Sequence, residues 1–175
     1  MALDEKLCLL LEKQAILEAL YRYARGWDRF DRELVLNAFH PDATICHAGF
    51  EGTAHALMNM WLDACATRKS MTHLITNALI EVSGNTAISE AHFFAHHRRA
   101  AEGGVGEKDW FIKGRYLDRF ERRAGDEWKI AHRIGVLDFE RLVDPADPEL
   151  SQLPMSARGS YRPADPLYLL LGSIS

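Results

Sequence analysis

The sequence predicts an α+β fold: N-terminal helices packed on one strongly curved, mainly antiparallel sheet, a cone-shaped α+β barrel enclosing a pocket. Three observations lead there. Apolar residues recur every three or four positions through the first third of the chain, the period of an amphipathic helix. From Met71 onward the pattern turns β-rich, with long runs in place of helical periods. Turn signals, Gly84-Asn85 and the three-glycine stretch Ala101–Glu107, separate those runs. Helices followed by consecutive antiparallel strands define α+β, and a curved sheet covered by helices leaves a binding-site candidate inside.

In chain order, residues 3–25 read as a helix whose stripe is Leu3, Leu7, Leu10, Leu17, Tyr21 and Ala24, broken by Gln14. Gly26 and Trp27 end that pattern. Asp31 caps a short second helix carrying Leu34, Val35, Ala38 and Phe39, which His40-Pro41-Asp42 stops. Thr44–His47 is β-prone. Thr53 caps a third helix with Leu57, Met58, Trp61, Leu62 and Cys65 on its apolar side. Strands follow over Met71–Val82, Ala87–Arg99, Trp110–Arg122 and Trp128–Glu140, the last two joined by Ala124-Gly125-Asp126-Glu127. After Arg141 the composition shifts to Pro, Asp and Ser. Residues 1–140 therefore read as the domain and 141–175 as a C-terminal tail, with an apolar anchor at Leu167–Leu171.

Composition narrows the classes. A chain of 175 residues is one domain by the usual size of about 100–200 residues. Hydrophobic residues make up 47% and charged residues 26%, which excludes a disordered chain. The net charge of −4 lacks the basic excess of a nucleic-acid binder. The early apolar run Leu7–Leu11 is far short of the ~20 residues that span a bilayer, so no membrane segment is expected. Cys8, Cys46 and Cys65 are scattered and odd in number, which suggests neither disulfides nor zinc and points to a reducing cytoplasm.

His73 lies in a strand, and alternation places it on one face with Ile75, Asn77 and Leu79. Histidine suits proton transfer near neutral pH. Asp28, between Trp27 and Arg29 and near Phe30, is a carboxylate among aromatics and needs a partner if buried. A His–Asp pair would fix the imidazole tautomer and stabilise the imidazolium. The plainer reading of a strand histidine is structural, and a separation of 45 residues does not by itself show contact. No G-x-S-x-G accompanies the pair, so acid–base chemistry fits better than acyl transfer. His92 and His96 have metal-ligand spacing for a helix. In a strand they stand ~13 Å apart, with His97 on the opposite face, so no metal is expected. Gly103-Gly104-Val105-Gly106 has turn rather than phosphate-loop spacing. Tyr21, Trp61 and Trp110 read as core. Arg133 interrupts an apolar strand, and alternation leaves open whether it points inward to a polar ligand or outward to water.

Several segments together resemble the SnoaL-like branch of the nuclear-transport-factor-2-like superfamily. They are Tyr23-Ala24-Arg25-Gly26-Trp27-Asp28-Arg29-Phe30-Asp31 with Phe39-His40-Pro41-Asp42-Ala43, and Thr72-His73-Leu74-Ile75-Thr76-Asn77. Gly114–Arg122 and Trp128-Lys129-Ile130-Ala131-His132-Arg133 with Asp138 complete the match, over about residues 5–140. The resemblance implies the cone-shaped fold and a dimer or trimer. It also implies kinship with scytalone dehydratase, hexachlorocyclohexane dehydrochlorinase and bile acid 7α-dehydratase, which use a His–Asp pair without cofactor or metal. Carried over residue by residue, it assigns the pair to His73 and Asp28, the latter fourteen positions before Asp42. It places Tyr23, Trp27, Asn77, Arg133 and, weakly, His97 at the substrate. The Asn that scytalone dehydratase uses on the third long strand is absent near Leu117, and the Arg that the bile acid enzyme uses near position 137 is Leu137 here, so neither of those two substrates transfers.

The resulting expectation is a cofactor-independent lyase or isomerase acting on a small, apolar cyclic ligand. The alternative is a non-catalytic binding or structural subunit of the same fold, such as a ring-hydroxylating dioxygenase small-subunit-like protein. A third possibility, partner binding through the open sheet face, would show as an exposed apolar patch.

Overall fold

A computed structural model describes residues 2–124, 127–145, 153–154 and 157–173. The elements are α1 (Leu3–Asp28), α2 (Arg32–Asn37), β1 (Phe39–His47), β2 (Phe50–Thr53), α3 (Ala54–Cys65), β3 (Arg68–Ser83), β4 (Thr86–Arg99), β5 (Lys108–Arg122), β6 (Trp128–Val143) and α4 (Pro166–Leu171). The six strands form one sheet in the order β2-β1-β6-β5-β4-β3. Only the β1–β6 pairing is parallel. The sheet is curved and open, with β2 and β3 as its two edges, and the helices packed on it make the expected cone. Helix α1 covers the inner face against β3, and α3 lies over β1.

Turn and cap chemistry set most boundaries. The Asp31 carboxylate accepts from the Leu34 N–H at 3.2 Å, and the Thr53 hydroxyl from the Ala56 N–H at 3.4 Å, each satisfying a free donor of a first helical turn. Gly84, at φ +57°, opens the two-residue β3–β4 turn, a position that suits glycine. Ala48 and Gly49, both at positive φ, fold β2 back on β1, a strand the sequence reading lacked. Residues Gly125-Asp126 of the expected β5–β6 turn lie outside the described residues, as do residues 146–152 of the tail.

Helix α1 departs from its sequence reading in two ways. Its buried face is Ile16, Ala19, Leu20, Tyr23, Ala24 and Trp27, whereas Leu3, Leu7, Leu10 and Tyr21 are exposed. The contact face is thus turned by one residue, about 100°. The buried apolar residues all lie in the C-terminal half of α1, while Glu12 ties its N-terminal half to Arg122 and Trp128, at the end of β5 and the start of β6. The helix also continues through Gly26 to Asp28. A Cβ at Gly26 would stand 2.8 Å from Val35 Cγ2, so this glycine permits α2 to pack closely rather than ending the helix. Pro41 sits inside β1, not at a helix stop. The β1–β6 register breaks between Phe39 and Thr44, so proline displaces no ladder bond there.

The alternation of β3 also breaks. Its register with β4 shifts between Thr76 and Leu79, and Asn77 takes φ +49°. This bulge moves the inward set from Met71, His73 and Ile75 to Ala78, Ile80 and Val82. Asn77 and Leu79 are therefore exposed instead of sharing the His73 face. In the tail, the expected apolar anchor is replaced by polar ties. Leu169 and Leu170 are exposed, while Arg29 donates to Ser160 O at 3.3 Å and pairs with Asp165 at 3.6 Å. Arg162 bonds Asp31 at 2.8 Å, and Tyr161 packs on Phe30 with ring centroids 5.4 Å apart.

Candidate active site

A cavity of about 240 Å³ lies between the helices and the inner sheet face. Its wall is mainly aromatic and aliphatic: Tyr23 and Trp27 from α1, Trp61 and Cys65 from α3, Phe93 and Ala95 from β4, Trp110, Ile112 and Tyr116 from β5. Three imidazoles, His47, His73 and His97, break the apolar lining. Among the described residues no three His, Cys, Asp or Glu side chains converge as metal ligands.

His73 projects from β3 before the bulge. Its Nδ1 lies 2.7 Å from Asp28 Oδ1, and its backbone N–H donates to Asp28 Oδ2 at 3.1 Å. Asp28 is the last residue of α1, so one carboxylate joins helix to strand through both the ring and the backbone of the same histidine. With Nδ1–H given to the carboxylate, the remaining ring nitrogen, Nε2, carries a lone pair. His97 Nε2 stands 3.5 Å away, and the two rings meet edge to face at 5.2 Å. Burial, with help from the neighbouring charges of His73, Arg68 and His96, pushes the His97 imidazole down to about 3. It is therefore neutral at pH 7, and one proton serves the Nε2–Nε2 contact.

The other expected site residues divide. Trp27 lines the cavity beside His73, with ring centroids 6.3 Å apart. Tyr23 also lines it, its hydroxyl 3.8 Å from Met58 Sδ and hydrogen-bonded with the Tyr116 hydroxyl. Asn77 does not reach the cavity, for the bulge described above. Arg133 points inward: it is fully buried in a bidentate pair with Asp118, at 2.7 and 2.8 Å through Nε and Nη2, behind the rings of Tyr23 and Tyr116, and its Nη1 has no partner. Burial alone would lower the guanidinium's pKa, and the Asp118 carboxylate more than offsets this, holding the charge. Arg133 does not line the cavity. His92 and His96 lie on the outer face, His96 bonded to Asp109 at 2.7 Å.

The sequence reading missed His47, Phe93 and Tyr116. His47 is buried among Trp61, Phe93 and Tyr116, its Nδ1 has no partner, and burial lowers its pKa. The signal for Phe93 was present: it shares the inward period of β4 with Ala95 and His97.

Residues 9–134 match the family model for the SnoaL-like domain, and the chain belongs to that family. Solved structures share the fold. A hexachlorocyclohexane dehydrochlorinase (LinA) type 2 is 16% identical, with TM-score 0.71, covering 85% of this chain and 99% of that one. A putative scytalone dehydratase from Novosphingobium aromaticivorans is 22% identical, with TM-score 0.66, covering 83% and 97%. A function-unknown protein from Mycobacterium tuberculosis, Rv3472, is 25% identical, with TM-score 0.64, covering 79% and 76%. No curated protein matched the sequence.

Proposed function

We propose that this protein is a lyase or isomerase that removes a proton from carbon on a small, largely apolar cyclic substrate, without a cofactor. The observation that carries the reading is the Asp28–His73 bond of 2.7 Å at the wall of an apolar cavity. His73 Nε2 takes the proton. Asp28 holds the ring in the reactive tautomer and stabilises the imidazolium. His97, neutral and adjacent, donates its Nε2–H toward the His73 Nε2 lone pair in the resting state and must release it before that nitrogen takes the substrate proton. The Tyr23 hydroxyl, on the cavity wall beside Tyr116, donates to the carbonyl or leaving oxygen. General acid–base catalysis of this kind contributes about 10²–10⁴ in rate.

Elimination and isomerisation share this first step. The dehydratase and dehydrochlorinase named among the fold neighbours support the first. The outer sheet face supports a homo-oligomer: Leu74, Phe94 and Phe139 are exposed along one cross-strand row through Lys113. No helix among the described residues is long and apolar enough to cross a membrane. Three free thiols suit a cytoplasmic setting.

The test is a screen of cyclic alcohols, halides and enones in D2O, following solvent deuterium uptake and product formation, before and after dialysis against a chelator. The wild type should turn over at least one class, equally well after dialysis, and His73→Ala should lose this while keeping its circular dichroism spectrum. Undiminished turnover in folded His73→Ala would end the proposal.

A further inference from the structure

Arg68 opens β3 and contributes to the cavity wall. Its guanidinium carbon lies 5.7 Å from the Trp110 ring centroid, and its Nε is buried without a hydrogen-bond acceptor. Among the described residues no carboxylate forms an ion pair with it, and Glu140, the only carboxylate on the wall, is no exception. Most other arginines near the sheet are matched: Arg133 by Asp118, Arg115 by Glu90, Arg98 by Asp109. An unmatched guanidinium against apolar walls has lost part of its hydration and gained no anion in return. The adjacent groups do not supply one. Burial pushes the Cys65 thiol up, so it remains a neutral thiol beside Arg68, and His97 is neutral as well.

We propose that Arg68 is an anion-recognition residue, and that the cavity's ligand is a cyclic carboxylate whose apolar ring lies among Trp61, Phe93 and Trp110. This rests on the reading of the cavity as the substrate site and narrows the substrate class. A single guanidinium balances one negative charge, and its planar fork fits the two oxygens of a carboxylate. Arg68 and His73 are five residues apart on β3, a backbone distance of at most ~17 Å at the rise of a strand. The acid group therefore sits toward one end of the ligand and the carbon that loses its proton toward the other. The uncharged ligand of equal shape leaves Arg68 unmatched, so the site discriminates by charge as well as by fit.

The experiment compares 2-naphthoate with 2-naphthamide by tryptophan fluorescence and calorimetry, needing no turnover. Wild type should bind the carboxylate at least about tenfold more tightly. Arg68→Gln should abolish that preference while leaving naphthamide affinity within about twofold, and Arg68→Lys should restore part of it. His73→Ala should keep the preference, which separates this proposal from the acid–base reading. Equal binding of the two probes by wild type, binding of neither, or a preference that survives in folded Arg68→Gln would overturn it. So would displacement of 2-naphthoate by inorganic phosphate at equal concentration, which would mark a ringless anion site.

Discussion

Replacing Asp28 by asparagine tests the pair at its most exacting point. The carboxylate accepts two N–H groups from His73, the ring Nδ1–H on Oδ1 and the backbone N–H on Oδ2. An amide has one acceptor oxygen and one donor nitrogen. If its oxygen keeps the ring, the amide NH2 faces the backbone N–H, and stranding a buried donor costs ~1–3 kcal/mol. If the oxygen keeps the backbone, the NH2 faces Nδ1 and the ring proton moves to Nε2. The second arrangement leaves no donor stranded and is the expected one. The lone pair then points at asparagine rather than into the cavity, and the base is blocked. The loss of kcat/KM should be about 10³–10⁴, or ~4–5.5 kcal/mol of barrier, the order seen when a triad aspartate becomes asparagine. Nitrogen-15 NMR of the imidazoles reads the tautomer directly, without substrate. Wild-type His73 should carry its proton on Nδ1 and Asp28→Asn on Nε2. An unchanged tautomer in the variant, or activity within tenfold of wild type, would refute this reasoning.

Other outcomes follow from single contacts. Asp118→Asn leaves the buried Arg133 charge without its counter-ion and should cost about 3–5 kcal/mol in urea unfolding, while Asp118→Leu combined with Arg133→Met should cost less. Gly135→Ala would place a methyl 1.4 Å from His47 Nδ1, so the ring must leave its place between Trp61 and Tyr116. A loss of about 1–3 kcal/mol and altered tryptophan fluorescence are expected, and an unchanged melting temperature would contradict that close approach. His97 binds protons more weakly folded than unfolded. Its contribution to stability is complete above its ordinary value near 6.5 and is lost as pH falls from there toward about 3. The slope should approach ~1.4 kcal/mol per pH unit within that window and flatten in His97→Phe. Thr53→Ala removes the α3 cap and should cost about 1 kcal/mol by thermal melts.

The helices-then-strands order was legible because periodicity and turn residues are local. Asp31, Thr53 and Gly84 mark their turns by chemistry that acts within three residues. What escaped depends on more distant neighbours. No local signal shows that the buried apolar residues of α1 lie only in its second half, so the longest apolar stripe named the wrong face. Strict alternation put Asn77 beside His73 because a bulge adds one residue without changing composition. Arg133 was ambiguous until its partner Asp118, fifteen positions away on the neighbouring strand, was seen beside it. The Asp28–His73 contact came from resemblance rather than spacing, since it joins a helix end to a strand 45 residues later. His47 gave no signal, because a buried histidine with an unpartnered nitrogen looks the same in sequence as a solvated one.

The tail's polar ties reach further than its own packing. Arg29 follows Asp28 directly. Its carbonyl accepts from the Arg162 N–H at 2.8 Å, while its guanidinium holds Ser160 and Asp165. The last ordered turn of α1 is thus clamped from outside by chain more than 130 residues downstream. Residues that touch neither cavity nor ligand set the rigidity of the backbone that aims the carboxylate. Selection acting on this stretch, or an affinity tag fused beyond it, has a handle on the Asp28–His73 geometry independent of the pocket wall. Two homologues with identical cavities and different tails need not hold that pair equally firmly.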